Sequence, residues 1–171
     1  IRCESMRDIG AAMTPHNAFL LLQGLETLSL RMQQHVSNAQ AMVTWLQQHD
    51  AVKWVNHPDI DANSHTKLLF PKGAGSMLTF GVKGGRDAGA AFIDALQLSS
   101  NLANVGDSRT LVLHPGSTTH SRLSEADLVS AGISADLIRV SVGIETLKDI
   151  QADFNLGLRA AAKVSANKAE G

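Results

Sequence analysis

"DLIRVSVGIETLKDI", Asp136 to Ile150, joins two periodicities end to end. Ile138, Val140 and Val142 recur at every second position, which is a strand with one apolar face, so Arg139 and Ser141 point to the other side. Thr146 with Asp149 then resembles a capping box, with Asp a weaker partner than Glu or Gln. Beyond it Leu147, Ile150, Phe154 and Leu158 follow the three-and-four spacing of a helix. A one-faced strand feeding an amphipathic helix needs neighbouring strands beside it and a helical layer over its apolar side. The rest of the chain is read for those partners.

Thr14-Pro15 is a strong helix start, a capping hydroxyl followed by proline at the first helical position. Ala18, Leu21, Leu22, Leu25, Leu28, Met32, Val36, Ala39, Val43 and Leu46 then draw one apolar helical stripe, and Gly24 with Thr27 divides it into two successive helices. "VKWVNH" (Val52 to His57) and "SMLTFGVK" (Ser76 to Lys83) read as strands, with a long loop from Pro58 to Gly75 between them. Gly84-Gly85 marks a turn into a helix from Arg86 to Leu96, whose inward positions are Ala88, Ala91, Phe92, Ala95 and Leu96. Leu111 to Leu113 reads as a further strand. Ser124 with Asp127 opens a short helix ending near Gly132. The pattern predicts an α+β fold, a small, mostly antiparallel sheet covered by helices. The stretch 161–171, "AAKVSANKAEG", lacks large apolar residues and is expected to fray. No internal repeat or low-complexity tract interrupts the order.

The 171 residues suit one domain or a piece of a larger protein, and chains of this size bury about 70% of their unfolded surface. A hydrophobic content of 44% with 18% charged residues and a net charge of −1 gives no basic field for nucleic acid or an anionic membrane. The one cysteine, Cys3, has no internal partner, and no signal peptide or long apolar run is visible. These features point to a reducing, cytoplasmic setting.

The polar stretch "NVGDSRTLVLHPGSTTHS", Asn104 to Ser121, concentrates possible chemistry around one short strand. Asn104, Asp107, His114, Ser117, Thr118, Thr119 and His120 are either turn residues or the rim of a site. His114 and His120 lack a third ligand at a recognisable spacing, which argues against a metal centre. Ser117, His120 and Asp107 could be drawn as a hydrolase triad, but no G-x-S-x-G elbow holds the serine. "KGAGS" and "VKGGRD" lack phosphate-loop or dinucleotide spacing and read as turns. Arg139 has two readings: a solvated guanidinium on an open sheet face, or a two-pronged clamp for a carboxylate.

"TPHNAFLLLQGLETLSLRM", "NVGDSRTLVLHPGSTTHS" and "DLIRVSVGIETLKDI" together resemble three successive signature stretches of the Cys/Met-metabolism branch of the pyridoxal phosphate (PLP) enzymes, in the same order. The resemblance runs from about Gly10 to Leu158 and is nearest to the O-acetylhomoserine sulfhydrylases; γ-lyases and cystathionine-forming members usually carry serine at the position of Asn104. It implies the C-terminal, substrate-side domain of a fold-type I PLP-dependent transferase over residues 15–160, with 1–14 the end of a linker from a cofactor-binding domain. It also implies that Arg139 binds the α-carboxylate of an amino-acid substrate, assisted by Asn104 and Thr119. The Schiff-base lysine and the residues that bind PLP are expected outside this chain, because Lys53, Lys67 and Lys72 match no family motif; no catalytic residue and no metal ligand is expected within it. The implied reaction of the whole enzyme is γ-replacement, O-acetylhomoserine plus sulfide giving homocysteine, in a homotetramer. The alternatives are a γ-lyase or cystathionine γ-synthase of the same family, or a non-catalytic binding module. Apolar side chains of the first helices, such as Phe19, Leu20 and Leu30, are expected to stand exposed.

Overall fold

The structure is a computed structural model that describes residues 4, 7–10, 12–60, 63–118 and 124–169, with only the backbone described at Glu125, Val129 and Ala169. The elements run α1 (Arg7–Ile9), α2 (Pro15–Glu26), α3 (Leu28–Gln47), β1 (Val52–Asn56), α4 (Ser64–Leu69), β2 (Met77–Val82), α5 (Gly85–Asp94), β3 (Ser100–Asn101), β4 (Leu111–Leu113), α6 (Glu125–Ser130), β5 (Leu137–Ser141) and α7 (Leu147–Ala169), with a 3-10 turn at Pro115–Ser117. The strands form one sheet in the order β1-β2-β5-β4-β3. Every pairing is antiparallel except β3 with β4. The expected α+β architecture is therefore what the chain adopts.

β5 lies in the middle of the sheet, and its alternation decides the layers. Ile138, Val140 and Val142 are fully buried and join Leu78, Phe80 and Val82 of β2 in a core roofed by α3, α5 and α7. Burying each such side chain is worth about 1.5–3 kcal/mol. At its centre Phe92 stands edge-on to both Phe80 and Phe154, with ring centroids 5.5 Å and 5.4 Å apart, a geometry that aligns ring edges with ring faces. Arg139 and Ser141 fall on the opposite side; Thr79 of β2 and Leu113 of β4 are the direct cross-strand neighbours of Arg139.

The helix starts follow their local chemistry. Thr14 Oγ1 accepts the Asn17 N–H at 3.2 Å with Pro15 behind it, and Gly84, at φ +104°, makes the left-handed turn from β2 into α5. The expected junction falls at Thr27, where α2 gives way to α3.

Three local expectations differ from the structure. The long loop after β1 contains α4, nucleated by Asn63, whose Oδ1 accepts from the His65 and Thr66 N–H groups. That helix buries no side chain, so it carries no apolar period to read. β3 is two polar residues that borrow the edge of β4, too short for alternation to appear. Residues 161–169, read from sequence as a tail without structure of its own, form the last turns of α7. Ala161 is 1% exposed and Val164 packs on the core. Alanine is the best helix former, and its small side chain lets the helix approach closely without a large apolar residue.

Candidate functional site

The open side of β5 meets a cavity of about 240 Å³ lined by Arg139, Thr79, Met77, Asn56, His57 and Pro58. Arg139 is half-buried, and none of the ion pairs or hydrogen bonds among the described residues engages its guanidinium. A guanidinium can pair two of its donors with the two oxygens of an anion. A larger cavity of about 480 Å³ lies between Lys83, the His49–Ala51 turn and the last turns of α7. It does not include Arg139.

The walls around Arg139 are braced from α3. Asp59 Oδ2 accepts from Gln40 Nε2 at 2.9 Å and from the Ala74 N–H at 3.4 Å, tying the His57–Asp59 turn to α3 and to the glycine loop. A side chain at Gly73 would run into Val36, so "KGAG" is a close-packed turn, as its spacing suggested. His57 is buried, and its Nδ1 accepts the Asp59 N–H at 3.2 Å.

Beyond β5 the chain is held by a polar network. Val142 O accepts from His35 Nδ1 at 2.7 Å, and the Gly143 and Glu145 carbonyls accept from Asn38 Nδ2 at 3.0 and 2.9 Å. The Glu145 carboxylate in turn takes the Thr110 N–H at 2.6 Å and the Thr110 hydroxyl at 2.9 Å. Thr110 Oγ1 accepts the Gly143 N–H at 3.0 Å. None of His35, Asn38, His57, Asp59 or Glu145 was singled out from the sequence. Their partners lie up to 107 residues away, and nothing in the local pattern announces that.

The residues of the Asn104–Ser121 stretch separate in this setting. Asn104 is exposed, and its Oδ1 accepts the Val105 N–H at 2.9 Å. Asp107 Oδ1 accepts the Arg109 N–H at 3.0 Å, an ordinary Asx turn. Its carboxyl is held below the usual range by that hydrogen bond first and by the Arg109 charge. His114 is fully buried between Ser117 Oγ and the Ala135 carbonyl, at 2.8 and 2.9 Å. Ser117 and Thr118 both fold back on His114, with the Thr118 hydroxyl donating to its carbonyl at 2.8 Å. Thr119 and His120 lie outside the described residues. Ser117 bonds His114, and among the described residues no carboxylate joins that pair.

As a donor set, the cavity offers a guanidinium, a hydroxyl and an amide, with no lysine amine among the lining residues. That set fits a carboxylate and not the aldehyde of a pyridoxal cofactor.

Residues 2–159 match the sequence pattern of the family described as Cys/Met metabolism PLP-dependent enzyme. The chain belongs to that family. Homocysteine synthase of Schizosaccharomyces pombe is 48% identical to it over 94% of this chain, and O-acetyl-L-homoserine sulfhydrylase 1 of Thermus thermophilus is 44% identical over 92%. The crystal structure of a putative O-acetylhomoserine (thiol)-lyase from Campylobacter jejuni, which holds N'-pyridoxyl-lysine-5'-monophosphate, superposes with a TM-score of 0.78 at 40% identity over 92% of this chain. Cystathionine gamma synthase from Xanthomonas oryzae superposes with a TM-score of 0.78 at 34% identity over 91%. These two relatives and these two structures are matched over only 38–41% of their own length. For this Cys/Met-metabolism chain, the fold is thus part of the fold-type I PLP architecture.

Proposed function

We propose that the protein carrying this chain is a PLP-dependent O-acetylhomoserine sulfhydrylase, which exchanges the acetate at Cγ of O-acetylhomoserine for sulfide and yields homocysteine. The similarity to sulfhydrylases at 44–48% identity supports the reaction. When bound, the cofactor supplies an electron sink for bonds at Cα. The part assigned to these residues is binding and orientation: Arg139 grips the substrate α-carboxylate, and the family resemblance gives Asn104 and Thr119 an assisting role. Fixing the carboxylate fixes which Cα bond faces the cofactor, and correct orientation of a reacting centre is worth several kcal/mol. The observation that carries this reading is the half-buried guanidinium of Arg139 in its cavity, without a partner among the described residues.

The test is steady-state kinetics of the complete protein on O-acetylhomoserine and sulfide, with melting temperature as control. Arg139→Ala is expected to cost about 3–5 kcal/mol in kcat/KM, since charged hydrogen bonds contribute roughly 1.5–3 kcal/mol each. Arg139→Lys keeps the charge but loses the planar fork, so most of the loss remains. Wild-type kcat/KM in both variants overturns the reading.

The Xanthomonas structural neighbour favours a second reaction, condensation with cysteine to cystathionine. Product analysis with sulfide or cysteine as sole acceptor separates the two, and turnover with neither identifies a γ-lyase. The same reading includes a cytoplasmic setting, supported by the lone cysteine, and a homotetramer.

A further inference from the structure

The proposed carboxylate site draws on two separate segments: Arg139 from a central strand, and Asn104 from the segment between β3 and β4. Arg139 is held from both sides by the ladders to β2 and β4. Asn104 is not. Residues 101–106 are exposed, and among the described residues Leu102–Val105 make no hydrogen bond to another element. Downstream the segment is fastened by the Ile144 N–H to Ser108 O, at 2.9 Å, and by Glu145 to Thr110. Nearer to Asn104, one long-range bond remains. The Gly106 N–H donates to Ser141 Oγ at 3.2 Å.

We propose that Ser141 is a positioning residue, which sets Asn104 relative to Arg139 so that both reach one carboxylate; this rests on the reading of Arg139 given above. Ser141 lies two residues after Arg139 on β5, on the same side of the strand and about 7 Å along it. It is 2% exposed, so its hydroxyl is a fixed anchor rather than a solvated group. Gly106 sits at φ +78°, a turn conformation that side-chain-bearing residues rarely adopt, and so presents its amide at a defined angle. Asn104, two residues upstream, is stiffened by its own bond to the Val105 N–H. The strand that carries the guanidinium thus also carries the anchor for the segment that carries the amide. Ser141→Ala leaves the Gly106 N–H without that acceptor and frees Asn104 to move, while the β5 ladder keeps Arg139 in place.

The experiment uses the complete protein with its cofactor and reads KM for O-acetylhomoserine, kcat and melting temperature in a double-mutant cycle of Ser141→Ala and Asn104→Ala. Ser141→Ala is expected to raise KM about tenfold with kcat changed less than threefold, and this penalty should largely vanish in the Asn104→Ala background. Ser141→Cys, a weaker acceptor of similar size, should give a smaller penalty in the same direction. Equal penalties with and without Asn104, or an unchanged KM in Ser141→Ala, overturn the proposal and leave Ser141 a structural contact. Arg139→Ala run in parallel separates the layers. If it alone raises KM, only the positioning claim fails; if it leaves KM unchanged, the site itself has been misplaced.

Discussion

His114 and Arg139 look alike in sequence, each a basic residue beside apolar neighbours on a short strand, yet they do opposite work. The Ala135 carbonyl can only accept, so His114 Nε2 carries the proton and Nδ1 accepts from the Ser117 hydroxyl; the ring is a neutral, fully satisfied fixture. Burial first of all lowers its pKa from the ordinary 6.5, opposed by the bond to Ala135. The folded value lies below the unfolded one, so the unfolded chain binds more protons in between. The stability it contributes is complete above pH 6.5 and is lost as pH falls towards the folded value. A urea midpoint that declines from pH 7 to pH 5, with the decline reduced in His114→Gln, is the expected result. His114→Ala should cost about 2–4 kcal/mol by the same measurement, because the Ser117 hydroxyl and the Ala135 carbonyl lose their partner. What the sequence shows at this scale is residue type and alternation. Which of two basic residues faces a cavity and which is walled in depends on Gly89, where a Cβ would meet His114 Nε2 at 2.6 Å, and on Ala135, 21 residues away.

Among the elements, α7 organises the most. Asp153 is nearly buried and accepts the amides of Gln97, Leu98 and Ser99 at 2.6, 2.9 and 2.8 Å, stapling α7 to the end of α5. Burial alone would raise its pKa; the three amide bonds outweigh it and hold the carboxyl below the usual 3.8. With the folded value depressed, its stabilisation is present above pH 4 and is lost as pH falls through the folded value. Asp153→Asn, whose amide oxygen is a weaker acceptor, should cost roughly 1–3 kcal/mol in chemical denaturation at neutral pH, and less at pH 3. Two glycine substitutions should differ in sign. Gly157→Ala drives a methyl to 2.6 Å from the Phe92 ring and should destabilise by about 1–3 kcal/mol, whereas Gly24→Ala meets nothing within 4 Å and should stabilise by about 0.5–1 kcal/mol through helix propensity. Melting temperatures of the pair check both signs. Elements with a buried stripe, such as α3, α5, α7 and β5, were legible because their period is imposed by the core. α4 and β3 were not, because a cap and an edge pairing specify them without burial.

Across the whole molecule the amphipathic stripe of the first two helices divides. Its later half, Ala39, Val43 and Leu46, is buried in the core, while its first half stands in the open: Leu21, Leu22 and Leu25 are 56%, 61% and 59% exposed, and Phe19 and Leu30 beside it are 56% and 64% exposed. The sequence pattern reported an apolar face faithfully; it could not report whether that face meets this chain. α2 buries no residue at all, and contiguous apolar patches promote association. The 171-residue chain on its own should therefore sediment as oligomers at micromolar concentration and bind a hydrophobic dye; a monodisperse monomer without dye binding contradicts this. Replacing Leu22 and Leu25 with glutamine should shift the distribution towards monomer. The position of β5 has a consequence in time. The strand that joins β2 to β4 follows both of them in the sequence, so a growing polypeptide that has already released β1, β2 and β4 from the ribosome still has no continuous sheet. Until Leu137–Ser141 emerges, the edges of β2 and β4 and the underside of the future core lack their partner strand, an interval in which unpaired edges and apolar surface promote association.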